Sequence, residues 1–137
     1  MKLYLAHPFS SRKEIREWEL KIEEKTGIEM INPFYDLNRK DVLRIDSGLS
    51  EKFEDLNHFE IIQRDVGHIA ISDGIVSIIN GKPSYGTVQE MVYSKILQKP
   101  NYCLVTNGYE DHPWLKYHST KIFIKRKDLE KFLEKLT

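Results

Sequence analysis

Short apolar runs alternate with longer stretches in which apolar residues recur every three or four positions, and this alternation carries through most of the chain. Lys2 to Ala6 predicts a first strand, ending at His7-Pro8-Phe9-Ser10-Ser11. Arg12 to Thr26 predicts a helix with Ile15, Trp18, Leu20 and Ile22 inward. Ser10 or Ser11 would cap it with Glu14 three residues on, and Gly27 would stop it. Ile28 to Ile31 predicts a short second strand, closed by Asn32-Pro33-Phe34-Tyr35. From Asp36 to Asn57 the periodicity fades, which predicts a long loop, either a lid over a binding site or plain surface. Phe59 to Ile71 returns to helical spacing, with Phe59, Ile62, Val66, Ile69 and Ala70 on its apolar side. Ile75 to Ile79 is almost wholly apolar, as expected of a strand buried on both faces. Asn80-Gly81-Lys82-Pro83-Ser84 punctuates like a tight loop, and Gly86 opens a helix with Val88, Met91, Val92 and Ile96 in register. After Lys99-Pro100, Asn101 to Val105 predicts a fourth strand and Ile122 to Ile124 a fifth. Asp128 to Leu136 predicts a terminal helix with Leu129, Phe132, Leu133 and Leu136 inward.

Strands that alternate with helices imply an α/β fold, with a parallel sheet, right-handed crossovers and helices on both faces. No repeat or linker divides the chain, so residues 1–137 read as one domain. Twenty-one basic residues balance twenty-one acidic ones, so no net field draws the protein to nucleic acid or a membrane. The one cysteine, Cys103, sits in an apolar run and reads as a small hydrophobe. It has no second thiol for a disulfide or for the paired-thiol metal patterns. No apolar stretch is long enough to span a bilayer and the amino terminus reads as a strand, so the expected location is the cytoplasm.

Open α/β sheets bind ligands at the carboxyl ends of their strands, which directs attention to the loop after Ile79. Ser84 lies in that loop, and Glu90 lies in the second turn of the helix behind it, where the helix dipole favours an anion. Spacing alone favours a structural acid that serves the helix start, with a nucleophile as the alternative reading of Glu90. The glycine fingerprints of dinucleotide and P-loop sites are missing, as are HExxH and GxSxG. No His/Asp cluster has metal-ligand spacing, so neither a metal nor another cofactor is expected. What remains is carboxylate chemistry from Asp65, Asp73 and Glu90. Asp73, just before the third strand, fits a turn at least as well as a site. Asp65 is a poor helix former inside a helix, which asks for another reason to be there.

These residues resemble the nucleoside 2-deoxyribosyltransferase family. The resemblance rests on Leu3-Tyr4-Leu5-Ala6-His7-Pro8-Phe9, Asn32-Pro33, Asp65 with Ile69 and Asp73, and Ser84-Tyr85-Gly86-Thr87-Val88-Gln89-Glu90, in that order over about the first hundred positions. It implies a flavodoxin-like three-layer sandwich with a five-stranded parallel sheet. It also implies cofactor-free cleavage of an N-glycosidic bond in a small-molecule nucleoside or nucleotide, with the deoxyribosyl group passed to a second base. By the same likeness Glu90 would attack the anomeric carbon, Tyr4 would orient Glu90, and Asp65 would protonate the departing base. His7, Phe9, Asp73, Ser84, Gly86 and Thr87 would bind substrate, and a homodimer or higher homo-oligomer is expected. Where the transferases carry Asp before Tyr85-Gly86, this chain has Ser84. That is more similar to the related branch that hydrolyses deoxynucleoside 5′-monophosphates, where a serine contacts phosphate. A non-catalytic nucleotide-binding module on the same fold is the third reading.

Overall fold

In the computed structural model, residues 1–36 and 58–137 are described. Five strands form one sheet: β1 (Lys2–Ala6), β2 (Glu29–Ile31), β3 (Gly74–Ile79), β4 (Asn101–Val105) and β5 (Lys121–Phe123). All four pairings are parallel, and the order across the sheet is β2-β1-β3-β4-β5. The order reverses between β1 and β3, which is the switch point of a flavodoxin-like sheet. Among the described residues five α-helices pack on it: α1 (Arg12–Thr26), α2 (His58–Ile71), α3 (Tyr85–Ile96), α4 (Pro113–His118) and α5 (Arg126–Leu136). The α/β expectation holds.

Side-chain alternation along β1 divides the core in two. Leu3 and Leu5 join Ile15, Trp18 and Ile22 of α1 and Leu129 and Leu133 of α5 on one face. Tyr4 and Ala6 join Ile69 of α2 and Met91 of α3 on the other. With helices on both faces the middle strands have no solvent side, so all six residues of β3 are buried.

Several local expectations need correction. Leu20 is exposed, because the inward stripe of α1 runs through Ile15, Trp18 and Ile22 at helical spacing, and it is Glu19 that fills the i+4 position of that stripe. Ser11 stands at the N-cap of α1, but its hydroxyl donates to the Pro8 carbonyl instead of capping the helix. In α2 only Ile69 is buried, while Phe59, Ile62 and Ala70 are exposed. The amino-terminal half of that stripe walls a cavity instead of meeting the sheet. Pro113–His118 is a short helix that the sequence pattern did not reveal. The long loop expected over 36–57 falls, from residue 37 on, outside the described residues.

Glu19 is fully buried and held by two neighbours. Arg16 hydrogen-bonds its Oε1, and the Asn32 side-chain amide donates to its Oε2 at 3.1 Å. Burial outweighs these contacts and raises its pKa to about 7, with Asp36 adding to the rise. Arg16, which keeps part of its surface in solvent, is instead held cationic by Glu19 and Asp36. The two partners differ because only one of them has lost its water.

A folded-state value above the unfolded one means that the folded chain holds this proton more tightly. The resulting stability is complete below the unfolded value near 4.5 and is lost as pH rises through about 7. Between pH 5 and pH 8 the Tm of the wild type should therefore fall more steeply than that of Glu19→Gln, by several degrees. Parallel Tm profiles would mean that Glu19 stays ionised throughout.

Candidate active site

A cavity of about 500 Å³ opens at the carboxyl ends of β1 and β3. The turn after β1 supplies His7 and Phe9, and the turn after β2 supplies Pro33 and Phe34. Ile62, Asp65 and Val66 come from α2, and Ser84 to Thr87, Glu90 and Tyr93 from the start and outer face of α3. The walls are largely apolar with a few polar groups, the usual make-up of a small-molecule site.

The polar centre of the site begins inside the core. Tyr4 has no exposed surface, and its place in β1 aims it at the α3 side of the sheet. Its hydroxyl donates to Glu90 Oε2, joining the first strand to the second turn of α3. Glu90 itself is half-buried and lines the cavity. Asp65 faces the same cavity from α2, with 14% of its side chain exposed and Arg64 Nε 3.7 Å from its Oδ1. The arrangement brings together an oriented carboxylate, a second carboxyl group and apolar surfaces on which a flat ring can rest.

Ser84 is the N-cap of α3. Its Oγ accepts from the Thr87 amide at 3.2 Å and donates to Thr87 Oγ1 at 2.6 Å. The Val88 amide goes to the Ser84 carbonyl. That leaves the first two amides of the helix, those of Tyr85 and Gly86, without an intrahelical acceptor. A Cβ on Gly86 would meet nothing within 4 Å, so the backbone at this point faces open space. Thr87 is buried, lines the cavity and has its amide committed to the cap.

His7 is buried, and desolvation lowers its pKa. Its ring meets Phe34 edge-on with 5.0 Å between centroids, and Phe34 meets Phe9 in the same way at 5.3 Å. The Arg12 guanidinium lies 3.8 Å above the Phe9 ring and donates to the Phe9 carbonyl at 3.0 Å. Asn80 Nδ2 reaches Ser11 Oγ at 3.4 Å, tying the loop after β3 to the turn after β1. Asp73 is not part of this group. It precedes β3 at the amino end of the sheet, where its Oδ2 accepts from the Lys2 amide at 2.8 Å. A residue that starts a parallel strand cannot also reach the carboxyl end of the strand, so its turn role stands and the substrate-binding role does not.

Sequence reasoning missed the apolar walls and the layer beneath them. Pro33 and Phe34 lay in a recognised turn, but nothing in their spacing tied them to Glu90. Ile62 resembled a core position of its helix, and Tyr93 lay outside the apolar stripe read for its own. The available signal was the surplus of apolar residues on the amino-terminal half of α2, too many for the sheet to cover.

No protein-family model and no curated protein matches this sequence. Solved structures do match. A 2-deoxyribosyltransferase from the psychrotolerant bacterium Bacillus psychrosaccharolyticus is 22% identical with a TM-score of 0.69, covering 95% of this chain and 90% of its own. A conserved protein from Enterococcus faecalis is 14% identical with a TM-score of 0.74, covering 100% and 99%. A CMP N-glycosidase from Clostridium botulinum is 19% identical with a TM-score of 0.62, covering 98% of each chain. At these identities the likeness is one of fold, and the chain shares that fold over nearly its whole length.

Proposed function

We propose that the protein is an enzyme that cleaves the N-glycosidic bond of a nucleoside or nucleotide and transfers the sugar, a deoxyribosyl group, to another base. The hydrogen bond from Tyr4 to Glu90, at the wall of a cavity that Asp65 also faces, carries this reading. Tyr4 holds Oε2 of the Glu90 carboxylate at the cavity wall, and Oε1 is the second oxygen of the same group. That oxygen attacks the anomeric carbon as the carbon–nitrogen bond breaks, and the bonding electrons leave with the base. Asp65 gives the base its proton, and a glutamyl–sugar ester remains. A ring nitrogen of a second base then attacks the same carbon, frees Glu90 and returns its proton to Asp65. The oxocarbenium-like charge that develops lies against the carboxylate, which stabilises it. The structural likeness to a 2-deoxyribosyltransferase and to a CMP N-glycosidase supports the reading at the level of fold.

The second reading, hydrolysis of a nucleoside 5′-monophosphate, is favoured by Ser84 and the two amides that follow it, which have no acceptor within the helix. A neutral cap and open backbone donors at a helix start suit a dianion. The expected homo-oligomer would cover Phe59, Ile62 and Ile96, large apolar side chains left exposed on α2 and α3.

Glu90→Ala should lower turnover about a thousandfold or more, while circular dichroism and Tm stay close to wild type. Asp65→Asn should depress kcat more than it raises KM, and Tyr4→Phe should show a smaller loss than either. Near wild-type activity of Glu90→Ala on a good substrate would remove the proposed nucleophile.

Ser84→Asp separates the two readings. Asp caps helices as well as Ser does, so the fold should tolerate the change. Against a bound 5′-phosphate the new carboxylate would be repulsive. Activity on a monophosphate should then drop about tenfold or more, while the matched nucleoside is spared or improved. Equal effects on both substrates would mean that Ser84 lies away from the 5′ position.

The oligomer is tested by Ile62→Asp, which should shift the mass measured by light scattering from dimer or larger to monomer. An unchanged mass would place the interface elsewhere.

A further inference from the structure

The loop that delivers Ser84 to the cavity is held at its bend by one side chain from a neighbouring loop. Asn80 to Ser84 joins β3 to α3, and Gly81, Lys82 and Pro83 are all exposed. At its start the loop prolongs the sheet, since the Thr106 amide donates to the Ile79 carbonyl at 2.9 Å. At its end Ser84 caps α3. Between these points the chain bends at Gly81, whose φ of +79° is a left-handed value that glycine adopts freely. The Gly81 carbonyl accepts from Asn107 Nδ2 at 2.8 Å. Among the described residues this is the one hydrogen bond that reaches the backbone of Gly81, Lys82 or Pro83. Packing does not replace it. Pro83 and Asn107 line the same open cleft of about 330 Å³, so the loop has space behind it instead of a wall.

Asn107 follows β4, and the direction of its amide is fixed. Its Oδ1 accepts from the Tyr109 amide at 3.0 Å while its Nδ2 reaches the Gly81 carbonyl. Both partners are backbone groups, one able only to donate and the other only to accept. Turning the side-chain amide over would set donor against donor and oxygen against oxygen. The bond to Tyr109, two residues on, is an Asx turn that secures the Asn107 side chain within its own loop.

This bond bears on the edge of the cavity. Ser84 lies three residues beyond Gly81, and the amides of Tyr85 and Gly86, which have no acceptor within the helix, come directly after it. Glu90 is anchored separately, by Tyr4 and by the packing of Met91 against the sheet. Slack in the loop would displace the groups that receive the substrate and leave the carboxylate in place.

We propose that Asn107 is a positioning residue of the site: by holding the Gly81 carbonyl it fixes Ser84 and the two helix-start amides at the cavity wall. Asn107 touches no reacting atom and lines no part of the catalytic cavity. Its effect on the loop follows from geometry, whereas its effect on kinetics rests on the proposed glycosidic-bond function.

Two variants separate the tether from the turn of its own loop. Asn107→Asp keeps an oxygen for the Tyr109 amide and has no donor for Gly81. Asn107→Ala loses both bonds without adding charge. Backbone ¹H–¹⁵N NOE values of the wild type should be as high at Gly81, Lys82 and Ser84 as at Met91 within α3. Both variants should lower them at the three loop positions and leave Met91 unchanged. On whichever of a matched nucleoside and 5′-monophosphate is turned over, both variants should raise KM about tenfold, with kcat changed by less than about threefold. Low NOE values at the loop positions in the wild type would overturn the proposal without any variant having to fold. So would loop values unchanged in either variant, or a KM that stays at the wild-type value. If no nucleoside or nucleotide is turned over at all, the functional reading fails, while the NOE values still decide whether Asn107 holds the loop.

Discussion

A tyrosine hydroxyl in the middle of an apolar sheet has to find a hydrogen-bond partner, and this requirement organises the molecule around Glu90. β1 is flanked by β2 and β3 and covered on both faces, so Tyr4 has no route to water. An unsatisfied hydroxyl there would cost about 1–3 kcal/mol. The partner is a carboxylate from α3, eighty-six positions along the chain. The register of α3 against the sheet and the aim of the proposed nucleophile are therefore one constraint. Packing errors that displace α3 by a fraction of a turn would break a core hydrogen bond as well as the site.

Much of the fold was legible because its signals are local. β3 and β4 are short apolar runs between breakers, α1 is closed by Gly27, and α5 carries an uncomplicated stripe of Leu129 and Leu133. Parallel topology followed from alternation alone. What escaped has a common cause, since it depends on how far each element extends past its neighbour. Phe59 and Ile62 obey the helical period, yet the sheet ends before it can cover them. Trp114 and Tyr117 belong to a helix too short for periodicity to register. Glu19 looked like any surface acid of a charged helix, although its i+4 relation to Ile15 placed it inward.

The candidate site was legible in part, for a different reason. His7, Phe9, Ser84 and Gly86 meet at the carboxyl edge because in a parallel sheet every residue just after a strand arrives at the same edge, while Asp65 and Glu90 reach it from helices and Tyr4 from within β1. Asp73 failed on that same logic, since it precedes its strand. Thr87 also lines the site, where the helix cap engages its amide, a bond that spacing alone does not reveal. Asn32 and Glu19 were out of reach, because a bond between a turn and a helix interior has no signature in either segment.

The cap at Ser84 bears on how such a site can change its substrate. Helix capping needs only a short side chain with an acceptor oxygen, a condition met by serine, threonine, aspartate and asparagine alike. These residues differ sharply in charge and in the donors they bring to the cavity wall that Ser84 lines. Hydroxyl can be exchanged for carboxylate at this position, and with it the charge facing the cavity, while the helix keeps its cap. The fold constrains only the acceptor oxygen here, which makes this position an open door for divergence on an otherwise rigid scaffold.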